Sequence, residues 1–477
     1  MTLQMIGRET GGSGWSENEM PLMRRRDVLR SLSVGCGRLR RLTPFLVLLL
    51  LIYFFFVLLL FPIYATKSAV QELISEMKNE GKVAASRDEA RTKSQAMAAN
   101  EMRQLEEEGK EAFEFLFNSS QYPPAFVGED VLGSEGVFTF RQRMTQPKTD
   151  GRRRRLILSW DVGHSQQNLG GCPDWDCEFT MDRSRAKQAD VVLVSGSGDF
   201  VRRNRHQYVV FFSQESPKNT IATRVGGDYF NFSFGYRQGT AGASPYGYTV
   251  KLAPESRPTG ELFNRTLLLG KKKAAAWFVS HCTTNSKRED LVNELQKLVP
   301  VDVFGACGKL ECARGSECEN ALDTDYHFYI AFENSVCSDY ITEKVWNQGL
   351  MREIVPVVLK RSIAENRLPP GSFIAVDDFK RVEDLAGHLK MLMNNKKEYF
   401  KYFEWRRRYR VVFLNGNLHD VLERPWGFCQ MCRISWIHPR PSFILRDFSS
   451  WWHGSCEEDG ALVHSILSNS KRFNSTA

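Results

Sequence analysis

The sequence predicts an α/β protein built on two doubly wound parallel sheets, and three observations support this class. Short apolar runs rich in β-branched and aromatic residues recur after residue 155, and helix-length segments separate several of them. The runs are apolar on both faces, as expected for strands that helices cover on both sides. A Gly- and Pro-rich stretch at 213–273 divides the runs into two groups. We therefore expect two Rossmann-like halves that face a cleft.

Eight apolar runs are predicted strands, and two of the segments between them are predicted helices. The predicted strands are Leu156–Trp160, Val191–Val194, Tyr208–Phe212, Ala274–Val279, Val301–Phe304, Phe328–Phe332, Ile354–Leu359 and Phe373–Val376. The clearest predicted helices are Lys287–Leu298 and Tyr340–Met351, because their apolar residues recur with helical spacing.

Composition and charge exclude several classes of protein. The 477 residues exceed the size of a typical single domain, and 42% hydrophobic residues exclude global disorder and collagen. The net charge is +8, and eight Arg against four acidic residues in 1–41 supply half of it. The rest of the chain is too weakly basic to predict nucleic-acid binding, although it can suit an anionic small molecule.

A membrane anchor is predicted at 42–65, where 24 residues carry no charge. Seven Arg precede this span within 20 residues and three Lys follow it, so the positive-inside rule places the N-terminus in the cytosol. This is the pattern of a type II protein with a lumenal body. Residues 66–117 read as a polar helix, and residues 118–151 read as a linker rich in Pro, Gly and polar residues.

Cysteines and sequons agree with a lumenal body. Ten of the eleven cysteines follow the span, an even number that suits disulfides in an oxidising compartment. They are Cys172, Cys177, Cys282, Cys307, Cys312, Cys318, Cys337, Cys429, Cys432 and Cys456. N-glycosylation sequons begin at Asn118, Asn231, Asn264 and Asn474. The run Arg152–Arg155 is either a release site for a lumenal protease or, as we favour, a solvated turn.

The segment Tyr326–Trp346 carries the strongest chemical signal. Its buried strand ends in Glu333-Asn334-Ser335, at the edge where ligands bind in open α/β sheets. Ser338 or Asp339 can cap the following helix, with Glu343 and Lys344 near its first turn. A Lys beside a helix N-terminus suits a phosphate-bearing ligand, whereas a pair of solvated helix charges is an equally good interpretation from spacing alone.

FYIAFENS followed by DYITEKVW resembles the signature of the α1,3/4-fucosyltransferases. The resemblance continues in order through FFSQESPKN (211–219), FNFSFGYRQ (230–238), AAWFVSHCTTNSKRE (275–289), VDVFGACG (301–308), VPVVL (355–359), PPGSFIAVDDF (369–379), YFEWR (402–406) and CQMC (429–432). It covers roughly residues 155–435, and the long ordered match makes it specific.

The resemblance implies an inverting, GDP-fucose-dependent transferase of the GT-B type. Together with the predicted anchor and stem, it divides the chain into a cytosolic tail (1–41), an anchor (42–65), a lumenal stem (66–151), an acceptor-side Rossmann-like domain (152–273), a GDP-fucose-binding Rossmann-like domain (274–435) and a C-terminal extension (436–477). It also implies a Golgi membrane location and a glycan acceptor on glycoprotein or glycolipid. Dimerisation through the stem and the identity of the acceptor stay open.

The resemblance assigns roles residue by residue. Glu215 of the ESP motif matches the catalytic base, and Arg288 with Lys344 matches the pyrophosphate clamp. The remaining donor-site matches are Glu343 for sugar hydroxyls, Tyr340 for the pocket wall, and Asn334, Tyr236 and Arg237 for the donor or cleft. The chain departs from most relatives at His281, at Gln238-Gly239-Thr240, where acidic residues are usual, and at Lys360.

Metal signals are poor. Asp174-Trp175-Asp176 and Asp323-Thr324-Asp325 have D-x-D spacing, but neither pair clearly follows a strand, and Asp174-Trp175-Asp176 is expected in a disulfide-bound loop. Cys429-x-x-Cys432 is half a zinc site, a redox pair or, as we favour, part of structural disulfides. We predict no metal site and no required cofactor, and a divalent cation is expected at most to stimulate.

Three rival functions stay open. One is a protein-directed O-fucosyltransferase, and another is a lumenal sugar-nucleotide or glycan-binding protein without turnover. A metal-dependent GT-A transferase also fits the topology. Glu215, Arg288, Glu343 and Lys344 together favour catalysis, because a binding protein needs no base.

Overall fold

The fold was analysed in a computed structural model. It describes Tyr53, Leu116–Phe117 and residues 126–133, 137–196, 199–201, 204–220, 225 and 227–476. The predicted tail, the span at 42–65 apart from Tyr53, most of the stem and Asn118 lie outside these residues. Within them, no helix is both long and apolar enough to cross a membrane.

Fourteen strands occur in the described ranges. They are β1 (Leu116–Phe117), β2 (Phe126–Val131), β3 (Arg155–Ser159), β4 (Cys177–Thr180), β5 (Val191–Val194), β6 (Tyr208–Ser213), β7 (Phe232–Gly235), β8 (Gly247–Leu252), β9 (Lys273–Phe278), β10 (Val301–Phe304), β11 (Tyr326–Ile330), β12 (Val355–Val358), β13 (Ile374–Ala375) and β14 (Tyr409–Phe413). All eight strands expected from the sequence are present, with ends that shift by one or two residues.

Helices connect and cover these strands. The α-helices are α1 (Phe140–Met144), α2 (Arg265–Gly270), α3 (Arg288–Gln296), α4 (Ala321–Thr324), α5 (Glu343–Val345), α6 (Arg361–Ala364), α7 (Val382–Asn394), α8 (Lys396–Phe400), α9 (Gly427–Trp436), α10 (Phe448–His453) and α11 (Ala461–Thr476). A π-helix, Trp346–Leu350, continues α5.

Two five-stranded parallel sheets form the body, which confirms the predicted class. Their strand orders are β4-β3-β5-β6-β7 and β10-β9-β11-β12-β13. Every residue of β5 and of β11 is buried, as two-sided apolar strands require. Helices α3 and α7 cover one face of the second sheet through Leu291, Leu295 and Leu385. The carboxyl ends of the strands within each sheet therefore lie along one edge.

A third sheet was not predicted. It is four-stranded, with the order β1-β2-β8-β14, and all its pairings are antiparallel. The β2–β8 and β8–β14 pairings join residues more than a hundred positions apart in the chain. The prediction of a linker over 118–151 is therefore wrong for its middle part, since β2 and α1 bury Phe126 and Phe140 in a hydrophobic cluster. The predicted stem helix is also wrong at its end, because Leu116–Phe117 is a strand.

The C-terminal residues after 435 pack on both parallel sheets. Phe448 and Trp452 of α10 lie in the cluster of the first sheet, with Phe211. Val463 and Ile466 of α11 lie in the cluster of the second sheet. The predicted extension is thus part of the folded body.

Five disulfides use all ten cysteines predicted to be lumenal. The pairs are Cys172–Cys429, Cys177–Cys432, Cys282–Cys307, Cys312–Cys318 and Cys337–Cys456. Cys429 and Cys432 are therefore structural, and each joins α9 to the segment that holds Asp174-Trp175-Asp176. Cys172 and Cys177 do not close that segment into a loop of their own.

The arginine run and two sequons have defined contacts. Arg153 forms two hydrogen bonds with Asp190, of 2.8 and 2.9 Å. Asn231 uses its amide inside the fold, because Oδ1 accepts from Val209 N and Nδ2 donates to Phe443 O, each at 2.8 Å. Asn264 is exposed and caps α2. Asn474 lies in α11. Cleavage at the run and glycosylation stay predictions.

Loop length predicts how much individual disulfides stabilise the fold. Replacing the pair Cys337 and Cys456 by Ala opens a closure of 119 residues that no second disulfide spans, and we expect the free energy of unfolding to fall by about 2–5 kcal/mol. The matched control replaces Cys312 and Cys318, which close only 6 residues, and should cost less. Chemical denaturation of the full-length chain measures both losses. A larger loss for the short closure would contradict this account.

Candidate active site

The carboxyl edges of the two parallel sheets meet at one place. Glu215 and Ser216 follow β6 of the first sheet, while Ser335 and Tyr340 follow β11 of the second. Ser335 Oγ donates to Ser216 Oγ at 2.6 Å, and Tyr340 Oη donates to Glu215 Oε2 at 2.8 Å. This edge is where parallel α/β sheets bind ligands, so the contact joins two ligand-binding edges.

Glu215 is exposed, although the tyrosine that holds it is buried. Burial raises the pKa of Tyr340 well above its usual range, and the carboxylates of Glu333 and Glu215 raise it further. Tyr340 is therefore a neutral donor that orients one oxygen of Glu215. This arrangement leaves a solvent-facing carboxylate that can accept a proton.

Glu333, at the carboxyl end of the second sheet, is the most connected carboxylate of the site. Its Oε1 accepts from Thr342 N at 2.7 Å and from Thr342 Oγ1 at 2.9 Å. Lys344 Nζ lies 3.1 Å from its Oε2. Burial raises the pKa of Glu333, whereas Lys344 and the Thr342 hydrogen bonds lower it in part. Sequence reasoning placed Glu333 at this edge but gave it no role.

The helix after this strand begins later than the sequence predicts. The expected helix at Tyr340–Met351 is only the single turn α5 followed by the π-helix, and Thr342 rather than Ser338 or Asp339 precedes it. Asp339 has a positive φ of 63° and accepts hydrogen bonds from Arg367, so it turns the chain instead of capping. The Glu333 carboxylate fixes Thr342 and thereby the start of the helix.

Lys344 and Glu343 lie together at the start of α5. Lys344 Nζ donates to Thr342 Oγ1 at 2.8 Å and lies 3.3 Å from Glu343 Oε1. Burial alone would lower the pKa of Lys344, but Glu333 and Glu343 raise it above its usual value. Burial opposes the charge of Glu343 as well, yet Lys344 and Arg314 leave its pKa lowered. Both groups are thus charged at neutral pH.

Arg288 begins α3 beside the same edge. Its Nη1 donates to Phe332 O at 2.6 Å and its Nη2 donates to His281 O at 3.2 Å, both after strands of the second sheet. Burial lowers the pKa of Arg288, which Glu333 and Glu289 partly offset. Its Nε has no acceptor among the described residues. His281 is exposed and contributes its backbone oxygen.

The remaining three donor-site candidates have different surroundings. Asn334 Oδ1 accepts from Ser335 Oγ at 3.2 Å, within the contact between the sheets. The buried ring of Tyr236 packs edge-on against Tyr340, with centroids 4.8 Å apart. Arg237 instead stacks on Trp451 at 4.2 Å and donates to its carbonyl. Its expected role in donor binding stays a prediction.

A polar cavity of about 220 Å³ lies beside the segment that holds Ser335 and Tyr340. Asp339, Lys360, Arg367 and Glu457 contribute its charged lining. Lys360, one of the departures noted in the sequence, pairs with Glu457 from the C-terminal segment. Gln238, another departure, is buried and donates its backbone N–H to Asp339 at 3.4 Å. Two of the unusual positions thus lie beside the candidate site.

The acidic D-x-D pairs form ion pairs elsewhere. Asp174 lies 2.9 Å from Arg424, and Asp323 lies 3.0 Å from Arg352. Asp176 pairs with Arg154 at 2.9 Å. Within the described part of the chain, no group of three or more His, Cys, Asp or Glu is arranged to hold a metal ion.

Two family models match this chain and together span both parallel sheets. Residues 152–247 match the N-terminal fucosyltransferase model, and residues 268–451 match the C-terminal model of glycosyltransferase family 10 (fucosyltransferase). The chain belongs to glycosyltransferase family 10. The resemblance inferred from the sequence motifs is thereby confirmed.

Relatives of this family 10 chain share long stretches of sequence. It is 53% identical over 354 residues to alpha-(1,3)-fucosyltransferase fut-1 of Caenorhabditis elegans, covering 74% of this chain and 81% of that protein. It is 34% identical over 337 residues to alpha-(1,3)-fucosyltransferase C of Drosophila melanogaster, covering 63% and 75%. The human 4-galactosyl-N-acetylglucosaminide 3-alpha-L-fucosyltransferase FUT6 is 38% identical over 290 residues, covering 58% and 75%.

Solved structures resemble this family 10 chain more distantly. A crystal structure of an alpha1,3-fucosyltransferase with GDP-fucose matches 61% of this chain and 92% of its own at 15% identity, with a TM-score of 0.39. Another crystal structure of an alpha1,3-fucosyltransferase matches 59% of this chain and 90% of its own at 15% identity, with a TM-score of 0.40.

Glu333 generates a stability prediction for this transferase. Glu333→Gln removes one of the two carboxylates that Lys344 faces in a buried position. Because Glu343 remains as a partner, we expect the free energy of unfolding to fall by about 1–3 kcal/mol. The matched control, Glu294→Gln, breaks an exposed pair with Lys297 and should cost less than about 1 kcal/mol. Denaturant unfolding measures both. Equal losses would show that the Glu333 pair is no stronger than a surface pair.

Proposed function

We propose that this chain is an inverting α1,3-fucosyltransferase that moves L-fucose from GDP-fucose to a GlcNAc hydroxyl of a glycan. The observation that carries the proposal is the meeting of Glu215 with Tyr340 and the Glu333–Lys344 cluster at the joined sheet edges. The relatives named alpha-(1,3)-fucosyltransferases support the same reaction.

The reaction is a single displacement at the anomeric carbon of fucose. Glu215 takes the proton of the acceptor hydroxyl as its oxygen bonds to that carbon. The bond from the carbon to the GDP oxygen breaks, and its electron pair leaves with the diphosphate. The new bond forms on the opposite face of the sugar, which inverts the configuration. The hydrogen bond from Tyr340 aims the carboxylate at the acceptor.

Cations after the second sheet would stabilise the departing diphosphate. Lys344 is charged and lies at the start of α5, where it can turn from its carboxylate partners to a phosphate oxygen. Arg288 holds its guanidinium at the same edge with its Nε unpartnered among the described residues. Glu343 is placed to accept from sugar hydroxyls.

The finer architecture and the location belong to the same proposal. The architecture we propose is of the GT-B type, with two Rossmann-like domains that face a cleft. It is supported by the two parallel sheets, whose ligand-binding edges meet at one place. The apolar span at 42–65 and the arginines before it support a Golgi type II protein with a lumenal body. Five disulfides are compatible with that compartment.

The printed names of relatives suggest which acceptors to test. FUT6 is named for a 4-galactosyl-N-acetylglucosaminide acceptor, and a Drosophila relative, 31% identical over 330 residues, is named glycoprotein 3-alpha-L-fucosyltransferase A. We propose a glycan acceptor of one of these kinds. The assay should therefore contain N-acetyllactosamine, a trimannosyl-core glycopeptide and unglycosylated secreted protein modules.

The first prediction from this proposal concerns Glu215. The full-length chain in detergent should transfer label from GDP-fucose to one glycan, and Glu215→Gln should lower kcat by about 10²–10⁴-fold because no base remains. Glu255→Gln, at an exposed position, is the matched control and should keep full activity. Donor binding should persist in the Glu215 variant.

The alternative outcomes separate the rivals. Transfer only to the unglycosylated modules would favour a protein-directed O-fucosyltransferase. Tight GDP-fucose binding without transfer to any acceptor would identify a binding protein. A fully active Glu215→Gln variant would remove this residue from the mechanism.

The second prediction concerns metal. If Lys344 and Arg288 carry the diphosphate charge, transfer should continue in excess chelator, and a divalent cation should at most stimulate. Initial rates with chelator, and after readdition of Mg²⁺ or Mn²⁺, measure the effect. Loss of all activity in chelator with full recovery on Mn²⁺ would instead support a metal-dependent transferase.

A further inference from the structure

Two arginines are buried together far along the chain from the catalytic motifs. Arg143 on α1 and Arg433 on α9 are 1% and 2% exposed. Gln430 joins them, since its Oε1 accepts from Arg433 Nε at 2.9 Å and its Nε2 donates to Arg143 O at 2.7 Å. The structure therefore buries two positive charges in the part of the molecule that contains the first parallel sheet.

These charges have no carboxylate partner among the described residues. Arg433 Nη1, Arg433 Nη2 and Arg143 Nε also have no hydrogen-bond acceptor there. Arg143 Nη1 lies 3.5 Å from Pro425 O, which is longer than an ordinary hydrogen bond. The nearby Arg367 is already paired with Asp339. Every unpartnered atom of the two guanidinium groups is a donor.

Aromatic rings support the faces of both groups but do not neutralise them. Arg143 stacks on Trp426 and Arg433 stacks on Phe138, each 4.3 Å from the ring centroid. Burial lowers the pKa of both arginines to about 9, so both remain charged at neutral pH. Burying one unpaired charge costs several kcal/mol, and the repulsion between Arg143 and Arg433 adds to this cost.

We propose that a monovalent inorganic anion of the halide class binds between Arg143 and Arg433 and serves as their counterion. The unpartnered N–H groups lie at the edges of stacked guanidinium planes, where an acceptor can meet them in plane. A small ion with one charge suits a position that is closed to solvent, because a phosphate must lose more hydration to enter. The ion fastens α1 to α9, the helix that carries Cys429 and Cys432.

The test compares chloride with gluconate at equal ionic strength, using the full-length chain in detergent. We expect chloride to raise the unfolding midpoint by about 2–4 °C, with saturation as the site fills. Arg433→Met should abolish this chloride dependence, and in gluconate it should be at least as stable as wild type, because it removes one of two like charges. Arg183→Met, at an exposed arginine stacked on Trp160, is the matched control and should keep the dependence.

A direct measurement covers the case in which Arg433→Met does not fold. Crystals of the wild-type chain grown with bromide should show an anomalous peak between Arg143 and Arg433. Equal midpoints in chloride and gluconate, or crystals without that peak, would overturn the proposal. Transferase activity is not used as a readout, so failure here would leave the proposed function untouched.

Discussion

The buried carboxylate of Glu333 is the interaction on which the rest of the active site depends. It sits at the end of β11, where it accepts the backbone and side-chain donors of Thr342 and faces Lys344. A buried charge is tolerated only with such partners, so the carboxylate dictates where the chain after the strand must return. That return sets the start of α5, and with it the positions of Glu343 and Lys344. The carboxylate of Glu333, which follows a strand, thus fixes Thr342, the residue before α5, nine positions later in the chain.

The carboxylate of Glu215, the proposed catalytic base, depends on the half of the molecule that contains the second sheet. Glu215 belongs to the first sheet, but Tyr340 of the second sheet orients it. The distance between the two sheets must therefore be held constant enough to preserve this 2.8 Å hydrogen bond. The C-terminal segment contributes to this, because Cys456 is bonded to Cys337, Trp452 packs against Tyr236, and α11 packs on the second sheet. The extension holds the two ligand-binding edges together.

The sequence revealed those features whose signal is local. Two-sided apolar runs such as β5 and β11 identified both parallel sheets, and the end of a predicted strand placed Glu333 at the ligand-binding edge. Glu215 was assigned through its family motif instead. The third sheet was not predicted because β2 contains Gly, Glu and Asp, which are uncommon in strands, and because its partner β8 lies more than a hundred residues away in the chain. The start of α5 was also predicted at the wrong residue, because it is set by a contact that is distant in the chain. It depends on the Glu333 carboxylate, whereas the local pattern offered Ser338 and Asp339 as caps.

If GDP-fucose binds as proposed, the charges at the joined edges determine how the site changes when the donor arrives. Glu215, Glu333 and Glu343 provide three carboxylates, and the cations facing them are the buried Arg288 and the largely buried Lys344. The exposed Arg314 adds a third cation 3.6 Å from Glu343. A diphosphate added to this cluster is repelled unless Lys344 leaves one of its carboxylates for a phosphate oxygen. Glu343 is the partner to lose, because it is more exposed than Glu333 and its contact with Lys344 is longer, at 3.3 Å against 3.1 Å. Freed in this way, Glu343 can turn to the sugar while Glu333 keeps the lysine in place.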